Sequence, residues 1–152
     1  IMKLVNTQEY VSMLRELTEQ GREVNMLISG TSMSPFLMHG RDSIRLKKPE
    51  RKLRKGDMVF FQRKSGKFVM HRIIRVRKEG FYLLGDSQQS SEIEGPIEES
   101  QIFAMITSVC RKGRWIGPGN FWWEFFEHYW IRMISFRRFL INTYRFMSSI
   151  RR

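Results

Sequence analysis

At 152 residues the chain is long enough for one domain with a real core, and its 41% hydrophobic content excludes a disordered or low-complexity body. A net charge of +12 gives the surface a positive field that suits anionic lipid headgroups, nucleic acid or acidic partners. The single cysteine, Cys110, excludes an intrachain disulfide framework and a cysteine-built metal site, and no phosphate loop, dinucleotide fingerprint or metal-ligand spacing occurs, so neither cofactor nor metal is expected.

The N-terminus carries no basic-then-apolar leader pattern, and nowhere do about 18 uncharged apolar residues run together. The expectation is a cytoplasmic protein, peripheral on the inner face of the membrane. Asn6-Thr7-Gln8-Glu9 reads as a capping box, after which Tyr10, Met13, Leu14 and Leu17 recur at helical spacing until Gly21 offers a stop. Residues 1–22 are therefore a short helix packing on the core.

From residue 23 to 113 the pattern changes to short apolar runs separated by Gly, Pro and charged turns. Val24 to Ile28 is mostly apolar, Ser43-Ile44-Arg45-Leu46 alternates and Met58-Val59-Phe60-Phe61 follows Gly56-Asp57. Residues 68–76 form a long β-branched run answered by 81–84, and 102–109 closes the series. This spacing predicts a mainly β fold, an antiparallel sheet. The polar stretch 86–101, with its Gly95-Pro96 turn, reads as a long loop.

Residues 114–152 are a linker, Gly117-Pro118-Gly119, and then an aromatic and basic segment. On a wheel at about 100° per residue, Trp122, Phe125, Phe126, Tyr129, Trp130, Met133, Phe136, Leu140, Ile141, Tyr144 and Met147 share one side. Glu124, Glu127, His128, Arg138 and Arg145 share the other, with Arg137 as a polar outlier and Ile131 and Phe146 as apolar ones. The prediction is a long amphipathic helix, whose partner is the β domain, a second copy of the chain, or an anionic membrane surface. Because aromatic and basic residues segregate to different faces, nucleic acid is the disfavoured partner.

Chemistry concentrates in Ser29-Gly30-Thr31-Ser32-Met33-Ser34-Pro35, a hydroxyl-rich turn placed directly after the first strand. Gly30 and Pro35 forbid regular continuation, so Ser32 stands where a strand breaks, a place to expose a nucleophile. A base is then needed. His71 lies inside a strand where Val69, His71 and Ile73 share a face, and burial there keeps the imidazole neutral near pH 7. His39 reads as a surface loop residue, His128 as a member of the polar helix face, and Lys67, beside the Ser65-Gly66 turn, as solvated. A carboxylate to orient the imidazole is offered by Asp86 or Glu92, and spacing does not choose between them.

The order Gly-x-Ser-Met-x-Pro at 30–35, Gly56-Asp57 before a strand, His71-Arg72 within one, and Gly85-Asp86 in a loop resembles the type I signal peptidases and the related LexA-like self-cleaving repressors. The resemblance spans residues 24–109, and His71 occupies the place of the lysine base found in most bacterial members. It implies a serine endopeptidase that cleaves a leader, signal-like or propeptide segment of a peptide or protein substrate through an acyl-enzyme. Ser32 would be nucleophile, His71 general base and Asp86 or Glu92 the acid. The turn set by Gly30, Thr31 and Pro35 would aim the Ser32 amide at the oxyanion. The competing readings are a LexA-like autoprotease and a catalytically silent module of the same fold that binds peptide, lipid or nucleic acid. A homo-oligomer is a further expectation.

Overall fold

The computed structural model describes residues 7–151. Asn6, and with it the expected capping box, lies outside them. Helix α1 (Thr7–Glu19) is followed by β1 (Val24–Leu27), β2 (Ser43–Lys47), β3 (Met58–Gln62), β4 (Phe68–Arg77), β5 (Gly80–Leu84), β6 (Glu94–Ile97), β7 (Ile102–Arg111) and β8 (Arg114–Ile116). The strands form one antiparallel sheet in the order β1-β2-β7-β3-β4-β5-β6, with β8 added to β7. Sequence reading therefore has the sheet and its antiparallel sense, but it misses β6, which lies inside the stretch expected to be loop. Gly95 and Pro96 disguise that strand, and the sheet tolerates them because β6 is an edge.

Strand periodicity divides the core. Val59, Phe61, Ile73 and Leu83 enclose one cluster, while Met58, Phe60, Ala104 and Ile106 face the other, together with Met26, Phe36 and Leu37. Helix α1 closes that second cluster with Val11 and Leu14; Met13, expected on the apolar stripe, is exposed. The Gln8 side chain anchors the helix, accepting from Phe68 N at 2.7 Å and donating to Phe68 O at 3.4 Å.

The C-terminal helical segment is bent. Helix α2 (Phe121–Glu124), capped by Asn120 whose Oδ1 accepts from Trp122 N and Trp123 N, passes into a π turn at Phe125–Tyr129. A 3-10 stretch, Trp130–Phe136, kinks at Met133 and leads to helix α3 (Arg137–Ile150). The π turn adds a residue to one helical turn and so shifts the phase of everything after it. Ile131 and Glu127, expected outside the apolar face, are buried, whereas Trp122, Tyr129, Phe136, Tyr144 and Met147, expected on it, are exposed. Trp123, Phe126 and Trp130 enter the same cluster as Phe36 and Met26, so the first half of this segment is core. Phe126 and Trp123 meet the Phe36 ring at centroid distances of 4.7 and 6.3 Å.

Candidate active site

The Ser32 turn is built by short-range bonds. Gly30, at φ +94°, takes a left-handed conformation open to glycine, and its amide donates to His39 Nδ1 at 2.9 Å, so the loop histidine secures the turn. Ser34 N and Oγ both donate to Thr31 O. Among the described residues nothing accepts from the Ser32 amide, which leaves that donor available. Ser87 holds the turn from the other side: its amide donates to Ser32 O at 2.9 Å, and its hydroxyl reaches Ser32 O and Thr31 O. Ser87 is a site residue that sequence reading passed over.

Sheet register brings this turn to the end of the β4–β5 pairing, beside His71. Arg72 pairs with Leu84 and Ile73 with Leu83, so His71 precedes the last paired residue of β4 on this edge and Gly85 follows the last residue of β5. A Cβ added to Gly85 would meet Ser32 O at 2.5 Å and Ser32 Cβ at 3.0 Å. Ser32 thus fills the space that a side chain at 85 would take. No hydrogen bond joins Ser32 Oγ to the ring in this structure.

His71 is 2% exposed, packed near Phe61 with ring centroids 6.0 Å apart. Burial pushes its pKa down to about 4, opposed by the negative charge of Glu94, so the ring is neutral at pH 7. Nδ1 has no hydrogen-bond partner, and the nearest carboxylate oxygen, Glu94 Oε1, is 3.9 Å away. Arg63 holds Glu94 through Nε, at 2.9 Å, and Nη2. Glu94 pairs with Leu83 on the His71 face, which is why an edge strand delivers it.

The two acids expected to orient His71 are engaged elsewhere. Asp86, fully buried, accepts from Arg72 Nε and Nη2 at 2.8 Å each, and Arg72 Nη1 donates to Gly56 O at 2.9 Å. Arg72 points to the opposite face of β4 from His71, so the pair is a buried strut. Glu92 is exposed and accepts from Gln89 N at 2.9 Å, capping a short 3-10 turn. Both charges still act on the ring at a distance and raise its basicity. Asp57, of the Gly56-Asp57 motif, receives Arg51 and Arg54 N and is likewise structural.

The loop behind the Ser32 turn is clamped by the C-terminal segment. Trp130 Nε1 donates to Asp86 O at 2.8 Å, and Arg137 Nη1 donates to Gly85 O at 2.9 Å and Gln88 O at 3.2 Å. Arg137 was an outlier on the helical wheel; its buried position explains why an arginine stands there.

A family model described as Peptidase S24-like matches residues 1–107, which include every segment of the site except the C-terminal clamp. No curated protein and no solved structure matches the chain.

Proposed function

Because the chain belongs to the Peptidase S24-like family of serine peptidases, we propose that it is a serine endopeptidase acting on a leader, signal-like or propeptide segment, with Ser32 as nucleophile and His71 as base. What supports this reading is that Ser32 packs against Gly85, the residue that follows Leu84, the register partner of Arg72 next to His71. A neutral imidazole takes the Ser32 proton as Oγ adds to the scissile carbonyl. It then gives that proton to the leaving amine as the tetrahedral adduct collapses to the acyl-enzyme. Water, activated by the same imidazole, releases the acyl group. The free Ser32 amide is the candidate oxyanion donor, a role whose loss typically removes about 2.7–4 kcal/mol of transition-state stabilisation.

A ring held at a pKa of about 4 is a weak base until its cation finds a partner. Glu94 is the partner we assign: closing the 3.9 Å gap to Nδ1 by roughly 1 Å makes a hydrogen bond that fixes the tautomer and stabilises the imidazolium. The substrate is extended. Strand β1 pairs on one side only and runs directly into the Ser32 turn, so a peptide added along its free edge arrives with a carbonyl at the nucleophile.

Incubation with a peptide library, with cuts mapped by mass spectrometry, tests the proposal. Ser32→Ala and His71→Ala are each expected to lower turnover by at least about 10³-fold with thermal unfolding little changed. Cleavage that persists in either variant removes the assigned pair. Intact mass of the incubated wild type separates the self-cleaving reading, which requires a cut within the chain itself.

A further inference from the structure

We infer that helix α3 docks on an anionic lipid surface. From Asn142 onward every described side chain of α3 is exposed. Phe139 is 70% exposed, Phe146 66% and Ile150 68%, and with Phe136 they recur at positions 136, 139, 146 and 150, one stripe along the helix. Such a face loses apolar area to water unless something covers it.

Charge identifies the cover. From residue 128 to the last residue the sequence contains no aspartate or glutamate, while Arg132, Arg138, Arg145 and Arg151 are exposed and none pairs with a carboxylate among the described residues. Two copies meeting along this stripe would cover the aromatic side chains but leave these arginines with no acid to receive them. A plane of phosphate headgroups receives them all, with the aromatic stripe sunk beside the acyl chains and the arginine stems reaching back to the surface. Among the described residues no helix is long and apolar enough to cross a membrane, and the docking we infer has α3 lying in the interface plane. Arg137, the first residue of α3, is bonded to Gly85 and Gln88. Docking therefore brings the loop behind Ser32 to the bilayer and points to substrates displayed at headgroup level.

Co-sedimentation of the full chain with vesicles of phosphatidylcholine alone, or with phosphatidylglycerol added, tests this directly. Pelleting with the anionic vesicles, weakened by added salt and reduced roughly tenfold or more in Phe139→Glu/Phe146→Glu, is the expected result. Both positions are exposed, so the variant's unfolding transition should match wild type. Failure to pellet with anionic vesicles overturns the inference, as does pelleting that the double variant leaves intact. Sedimentation velocity without lipid supplies the rival outcome: a dimer lost in the double variant, with no vesicle binding, assigns the stripe to a second copy.

Discussion

Sealing His71 between Phe61 and the β4–β5 register gives one side chain two measurable consequences. In the unfolded chain its imidazole takes a proton near the ordinary 6.5, and in the folded protein only near 4, because burial penalises the cation. As pH falls through that window the unfolded state gains the proton first, so stability falls, by about 3 kcal/mol at most, and levels off below it. Urea midpoints of wild type against His71→Gln, compared from pH 7 to pH 4, should show this loss in wild type only. The acid limb of kcat/KM should likewise sit near pH 4, well below that of a free histidine, since the free enzyme's base sets it. The acids around the ring separate by the same logic. Glu94→Gln should lower kcat by on the order of 10²-fold or more with KM and unfolding nearly unchanged, as expected for a residue that positions the base. Asp86→Asn, which strips the buried Arg72 of its partner, should instead destabilise the fold by about 3–5 kcal/mol. Equal effects of the two variants on stability would remove the distinction.

At the scale of elements, the Gly85 backbone is the meeting point of β5, the Ser32 turn and the C-terminal clamp. A methyl group there must displace Ser32, whose carbonyl would lie 2.5 Å from it and is itself held by Ser87. Gly85→Ala is therefore expected to abolish turnover while lowering stability by only about 1–3 kcal/mol, which activity and denaturant unfolding of one preparation would show. Local pattern made the strands, the hydroxyl turn and the alternation of β4 legible in the sequence, because period-two burial and breaker residues act over a few positions. What escaped depends on longer relations. Strand β6 was hidden because a four-residue edge strand containing Gly95-Pro96 has the composition of a loop, and Glu94 was hidden with it. Spacing leaves Asp86 and Glu92 open as the acid for His71, because it does not register Arg72, the adjacent residue on the opposite face, which takes the Asp86 carboxylate bidentately. The faces of the C-terminal helix were misphased because a wheel of constant angle has no place for a π turn at Phe125–Tyr129.

Over the whole molecule, the family match and the fold have different extents: the match ends at residue 107, yet the cluster that packs Met26 and Phe36 also includes Trp123, Phe126 and Trp130. Burial of such rings, with the Trp130 bond to Asp86 O, makes the segment through Arg137 part of the folding unit. Beyond Ile141 the helix is exposed and adds nothing to that core. Two truncations separate these halves. Removing residues 142–152 should leave the urea midpoint within experimental error of wild type while ending vesicle binding. Removing residues 121–152 exposes Phe36 and frees the Gly85–Gln88 loop, and should abolish cooperative unfolding. Trp130→Ala lies between them, with an expected loss of about 3–5 kcal/mol from the emptied site. A shorter chain ending at residue 120 that still unfolds cooperatively, with turnover intact, would show that the sheet alone holds the Gly85–Gln88 loop in place and that the clamp is dispensable.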